Sequence, residues 1–320
     1  MPVEPRPYRD RLFRNYAWIV LACNVAVILW GAVVRATGSG AGCGEHWPLC
    51  NGVALPQSPQ TATIIEFAHR LTSGLAVGLA LGLLVFAFQL FPKRHLVRRA
   101  AVAAILFEFM EALLGAALVL LGHVAKDASI ARGYYLSLHL INTLMLLAAL
   151  TLAAWASSRT RVDLRPAVTG WKFAFALVAA GLLLLGVSGV IAALGDTLFQ
   201  SSTLAQGFRQ DLAPGAHPFI RLRVWHPFIA TLVALAIGAL CFAARTQRVA
   251  WVLAALTATQ IAAGMINLAL LAPVPLQLFH LFLADAVWIA FVLLGADVLS
   301  TAVPSSFAPE SSHLAAASVK

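Results

Sequence analysis

Nine histidines occur in 320 residues, and four of them are placed where they could do chemistry. His46, His95, His123, His217 and His313 fall in polar stretches, at segment ends or in the tail. His69, His139, His226 and His280 fall inside long apolar runs, at a similar depth, two in each half of the chain. A single intramembrane histidine is commonly a hydrogen-bonded packing residue. Four at one depth call for a further reason. Facing helices of a bundle supply ligands to a cofactor in their core, and two imidazoles can hold one haem iron from both sides. Zinc or copper would gather three or four clustered ligands. Here each half offers two histidines and no nearby cysteine. The reading is two bis-histidine haem sites, with packing histidines as the alternative.

Glu66 lies three residues before His69, so the two share a helix face about one turn apart. A carboxyl inside a membrane helix is expensive and is by default a functional hypothesis. The corresponding place before His226 is Arg223, in RLRVWHP. One histidine pair thus has an acid beside it and the other does not, as expected if one haem reacts and the other carries electrons. A plain Glu66–Arg70 ion pair at i, i+4 is the alternative. Glu108 and Glu111 are also intramembrane acids, compatible with a proton path or with hydrogen bonds inside the bundle. Arg35, Arg70 and Arg223 sit near segment ends, where they could meet haem propionates or simply snorkel to the interface. Cys43 and Cys50 share one loop, where a disulfide is plausible on an oxidising side; Cys23 and Cys241 look like apolar packing. The run TGSGAGCG follows a membrane segment and lacks the Lys-Ser/Thr ending of a phosphate loop.

These residues need a membrane bundle to hold them. Hydrophobic residues are 61% of the chain and charged residues 11%, against roughly a quarter charged in soluble domains. Apolar runs at about 17–36, 63–91, 100–122, 134–156, 172–194, 224–243, 250–271 and 276–298 are long enough to span a bilayer, and must do so as helices. The net charge of +9 is spread over short loops, which signals topology rather than nucleic-acid binding. Arg6, Arg9, Arg11 and Arg14, then Lys93, Arg94, Arg98 and Arg99, then Arg159, Arg161 and Arg165, then Arg245 and Arg248 mark one side. That side should be cytoplasmic, with both termini inside, the cysteine loop outside and the protein in the cell (inner) membrane.

The expected fold class is therefore an all-α integral membrane protein, with eight transmembrane helices as two pseudo-repeated four-helix bundles. GAVVRATGS and GVIAALGD close equivalent helices of the two halves, as a duplication would produce. The divisions are a cytoplasmic arm at 1–16, an N-terminal half at 17–156, a linker at 157–171, a C-terminal half at 172–298 and a disordered cytoplasmic tail at 299–320. Two long outer stretches, about 38–62 and 195–223, have the length of functional loops.

The stretch VVRATGSGAGCGEHWPLCNG followed by EFAHR resembles the heme A synthase family, and ALGDTLF, LRVWHP and His280 agree with it. The resemblance covers about residues 17–298. It implies oxidation of the C8 methyl group of haem O to the formyl group of haem A, for use by cytochrome oxidases. It also implies substrate haem O between His69 and His139, a haem b cofactor between His226 and His280, Glu66 as the catalytic acid and a Cys43–Cys50 disulfide. Pro227 follows His226 where Arg70 follows His69, a departure at the second propionate position. Implied partners are a haem O synthase, an electron acceptor, the lipid bilayer and a second copy of the chain. A di-haem b electron-transfer cytochrome linked to quinol, and a repeat-built transporter with His and Glu as proton relays, are the rival classes.

Overall fold

The structure, a computed structural model, describes residues 6–57, 59–164 and 169–304. It is mostly helical, and eight helical spans are long and apolar enough to cross a membrane. The first four are α1 (Arg6–Ala36), α2 (Thr61–Leu90), α3 (Leu96–Leu120) and α4 (Ile130–Ala156). A strand, β1 (Arg159–Leu164), leads to α5 (Thr169–Leu198). The short helices α6 (Leu204–Asp211) and α7 (Pro218–Arg223) precede α8 (Trp225–Ala243), α9 (Arg248–Ala269), α10 (Val274–Leu299) and a second strand, β2 (Ser300–Pro304).

Three departures from the expected boundaries have local causes. Helix α1 starts at Arg6, inside the expected arm. Phe13 is fully buried and meets Phe91 edge to face, with ring centres 4.9 Å apart, and the Tyr16 hydroxyl donates to the Leu79 carbonyl at 2.9 Å. Aromatic anchors thus extend the helix beyond its apolar window. The sixth span, Pro218–Ala243, breaks at Val224 between α7 and α8. Pro227 cannot donate to the Arg223 carbonyl and its ring crowds that carbonyl, so the helix interrupts just before His226.

The third departure is local and leaves the helical membrane fold as expected. The linker and the start of the tail pair as an antiparallel two-stranded sheet, with Arg161 opposite Val303 and Val162 opposite Ala302. The expected disordered tail beyond residue 304 lies outside the described residues, as do residues 1–5 of the arm and residues 165–168 of the linker.

Helices α4 and α10 are the most buried spans and lie against each other. The Trp288 indole donates to the Leu144 carbonyl at 2.6 Å. Leu147, Leu150 and Leu294 are fully buried. The outer faces carry exposed residues such as Leu75, Leu106, Leu232, Phe242 and Met265, an arrangement that suits acyl chains and not water. Where α4 and α10 end beside the sheet, Asp297 accepts from the Trp155 indole at 2.7 Å and from Arg159 at 3.2 Å. Trp155 is buried, so Asp297→Ala leaves its N–H without an acceptor, a loss of about 1–3 kcal/mol. Thermal unfolding in detergent should show a lower melting temperature for Asp297→Ala. Asp297→Asn, which keeps a carbonyl oxygen for Trp155, should lose less.

Candidate functional site

The loop between α1 and α2 is folded onto the first turns of α2. Gly42 approaches so closely that a Cβ there would lie 2.4 Å from the Ala62 carbonyl carbon, and the Thr63 hydroxyl donates to the Gly42 carbonyl at 2.8 Å. Cys43 and Cys50 are buried, and their sulfur atoms are paired. The Cys43 amide donates to Glu66 Oε2 at 2.8 Å. The other Glu66 oxygen accepts from Arg70 Nη2 at 2.5 Å and Nε at 3.2 Å. Arg70 Nη1 then donates to the His46 carbonyl at 2.7 Å and the Leu49 carbonyl at 2.8 Å. Glu66 is 3% exposed. Its carboxylate is a latch between helix and loop, and the Glu66–Arg70 ion pair weighed as the alternative is present.

The four histidines stand on α2, α4, α8 and α10, and each packs against a glycine of a neighbouring helix. A Cβ added at Gly31 would lie 3.0 Å from the His69 ring. The same construction gives 3.1 Å for Gly189 and His226, 2.9 Å for Gly264 and His280, and 3.9 Å for Gly115 and His139. At the first three places any side chain would displace the imidazole. His226 and His280 face each other with ring centres 6.4 Å apart and planes at 80°. His69 and His139 lie within electrostatic range of one another.

Hydrogen bonds set the ring tautomers at two positions. The Ser188 hydroxyl donates to the Leu185 carbonyl at 2.8 Å, so at 2.9 Å from His226 Nδ1 its oxygen acts as acceptor. His226 Nδ1 then carries the proton and Nε2 the lone pair. His139 Nδ1 meets Glu111 Oε2, with the same consequence. Nδ1 of His69 and of His280 are buried and have no hydrogen-bond partner, and Gln260 Nε2 lies 3.3 Å from His280 Nε2.

The three arginines singled out for propionates all have protein partners. Arg70 serves the loop as described. Arg223 donates to Asp211 at 2.7 Å and to Asp196 at 3.1 Å. Arg35 ends the first helix yet reaches the second half. It donates to the Ala193 carbonyl at 3.1 Å, the Thr197 hydroxyl at 2.8 Å and the Gln277 side-chain oxygen at 2.9 Å.

Outside the spans, Asp127 accepts from the Ser129 amide and hydroxyl and bonds His123. Burial alone would raise its carboxyl, but these bonds outweigh burial and hold it below the ordinary carboxylate range. Ser129 in turn caps α4 by accepting from the Arg132 amide.

Sequence reasoning missed Ser188, Gln260, Asn142, Thr143 and Asp285. Asp285 is 1% exposed and its Oδ2 has no partner. For Asn142 and Thr143 a signal existed. They follow His139 by three and four residues, hence on its helix face. No group of three or more His, Cys, Asp or Glu able to hold a metal ion occurs among the described residues.

A family model described as cytochrome oxidase assembly protein (COX15-CtaA) matches residues 14–292. A Thermus thermophilus protein named protoheme IX farnesyltransferase is 48% identical over 294 residues, 89% of this chain and 48% of that protein. A heme A synthase of Alkalihalophilus pseudofirmus is 33% identical over 161 residues, 49% of this chain and 52% of that protein. A heme A synthase of Staphylococcus carnosus is 41% identical over 110 residues, 33% of this chain and 36% of that protein. The match to the Thermus thermophilus protein spans about half of that relative's length. With the family model covering most of its length, the chain belongs to the COX15-CtaA family of cytochrome oxidase assembly proteins.

Proposed function

We propose that this chain is a heme A synthase, an oxidoreductase that converts a methyl group of haem O to a formyl group by way of the alcohol. The carrying observation is the unequal pair of sites. Each half presents two glycine-backed histidines, and only the first has a buried carboxylate one turn from a histidine. The repeated glycine–histidine contacts also support a duplicated four-helix half. Two metal–imidazole bonds of about 2 Å each, plus about 1 Å from each nitrogen to its ring centre, separate the centres by about 6 Å. The 6.4 Å between His226 and His280 therefore fits an iron between them. The unpartnered buried Nδ1 atoms and the absence of larger ligand clusters among the described residues agree with axial pairs.

On this reading His69 and His139 hold substrate haem O, and His226 and His280 hold haem b, which supplies one-electron transfer. The first pair orients the substrate. Glu66, fixed by three donors, suits stabilisation of positive charge as electrons leave the methyl carbon better than proton removal by a mobile base. The Cys43–Cys50 disulfide holds the loop that supplies one of those donors. Propionate contacts from Arg35, Arg70 and Arg223 would exchange some of their present bonds.

The name of the Thermus thermophilus relative describes a transfer to protoheme. It supports a haem O synthase as the partner upstream. The second reading is a two-haem electron-transfer cytochrome. It is favoured by the full engagement of Glu66, which a purely structural acid would also show.

The proposed orientation is an inner membrane with both termini cytoplasmic and the haem sites toward the outer side. Reporter fusions after Arg99 and Arg165 should register as cytoplasmic, and fusions at Asn51 and Gly207 as external; an inverted pattern overturns this orientation. Haem extraction and optical spectra test the sites. His226→Ala, His280→Ala and Gly264→Val should remove the low-spin haem b signal, and His69→Ala and His139→Ala should mainly reduce haem O or haem A retention. Loss of one and the same haem in all of them would sink the two-site reading.

Glu66→Gln separates the enzyme from the cytochrome. It keeps the shape and an acceptor for the Cys43 amide while removing the charge. In cells that supply haem O, the folded variant should keep haem b and accumulate haem O or the alcohol in place of haem A. Undiminished haem A from a well-expressed variant favours the cytochrome.

A further inference from the structure

Of the four histidines, His139 alone has an anionic partner among the described residues. Glu111 on α3 points its Oε2 at His139 Nδ1. Its Oε1 accepts from Asn142 Nδ2 at 2.6 Å and lies 3.0 Å from the Thr143 hydroxyl, whose one proton it shares with the His139 carbonyl at 2.9 Å. Asn142 gives its other proton to the Phe107 carbonyl at 2.8 Å. The carboxylate is therefore held on both oxygens by one face of α4, formed by His139, Asn142 and Thr143. Asn142 and Thr143 are buried, so these bonds are poorly exchanged with water, and the carboxylate has one well-defined orientation.

The second half repeats the spacing with a different group, which meets the other ring nitrogen. Glu111 precedes Gly115 by four residues, and Gly115 backs His139. Gln260 precedes Gly264 by four residues, and Gly264 backs His280. Gln260 contacts His280 through its amide nitrogen. His226 has a neutral hydroxyl, that of Ser188. A carboxylate that accepts an imidazole N–H fixes the ring and raises the basicity of its other nitrogen. A stronger donor nitrogen favours the oxidised state of the metal it holds. The neutral Ser188 hydroxyl does this less, and the Gln260 amide nitrogen can only donate to His280 Nε2.

We propose that Glu111 is a positioning residue for the reacting site: it takes the Nδ1 proton of His139, turns the Nε2 lone pair toward the iron of the first-half haem, and sets that iron at a lower reduction potential than the iron of the second half. This rests on the assignment of His139 as an axial ligand. It gives electrons leaving the substrate site a downhill route to the second site. Glu108, one turn before Glu111, is buried with an unpartnered oxygen and has no part in the arrangement.

The test is a redox titration of the full-length, haem-loaded protein, followed optically and by low-spin electron paramagnetic resonance. Glu111→Gln should raise the potential of the first-half haem, shift its resonance signature and bring the two potentials closer, with the second-half haem unmoved. Glu111→Ala should do more and weaken haem retention at the first site by about 10- to 100-fold. Asn142→Ala, which frees one carboxylate oxygen, should move the potential the same way by less. Should the alanine variant fail to fold, Glu111→Gln and Asn142→Ala carry the test. Unchanged potentials and signatures in these variants, while His139→Ala still empties the first site, would overturn the role of Glu111 alone. A His139→Ala protein that keeps its full haem complement would overturn the ligand assignment and this inference with it.

Discussion

A polar atom in a bilayer has no water to fall back on, and that constraint orders the interior of this protein. Each buried polar group must find a protein partner, or its lack of one must have a use. Most are paired. Glu66 has the Cys43 amide and Arg70, Glu111 has three donors from α4, and the Trp288 indole has a carbonyl. An unpaired buried polar group costs about 1–3 kcal/mol. Orphaned nitrogens on His69 and His280 stand on two of the helices that the ligand reading invokes. Unpartnered polar atoms also occur at Glu108, Thr151, Asn267 and Asp285, while His139 and His226 are bonded at Nδ1.

The two halves share a scaffold and differ in polar dressing. At His69, His226 and His280 the glycine behind the ring is a steric requirement, and at His139 an added Cβ would make only ordinary contact. That requirement repeats in both halves. The charges do not. Glu66 and Glu111 belong to the first half, where the second has Arg223 and Gln260. Under the proposed function, that difference would place two haem irons in different electrical surroundings.

The spans were legible because hydropathy is a local signal and lipid enforces it. The histidines were legible because a polar residue in an apolar run stands out. What stayed hidden depends on contacts between distant segments. Phe13 extends α1 only because Phe91 is there to meet it. Strand β1 exists only because residues 300–304 lie beside it. Arg35 was read from its position at the end of α1, but its partners are Ala193, Thr197 and Gln277, which only the packing of α1 beside α10 and the reach of its side chain to α5 can bring together. The break before Pro227 could have been read from the proline rule. The partnership of Glu111 with His139 could not, because no local pattern says which face of α3 meets α4.

Arg35 gives the two halves a mechanical link at the end of the bundle where the first loop begins. Its own helix leads directly into that loop, whose Cys43 amide holds Glu66. Its guanidinium is fastened to α5 and α10 of the other half. A shift of α10 that moved His280 would therefore pull on Gln277, one turn away on the same helix, and through it on the end of α1. Packed helices move as bodies between discrete arrangements and do not deform continuously. The carboxylate beside His69 and the ligand helix of the other half are thus parts of one framework, joined by three hydrogen bonds that cross between the halves. If the proposed electron transfer between the two sites occurs, it would need a fixed separation, and a guanidinium bonded through Nη1 and Nη2 across the junction is a means of fixing it.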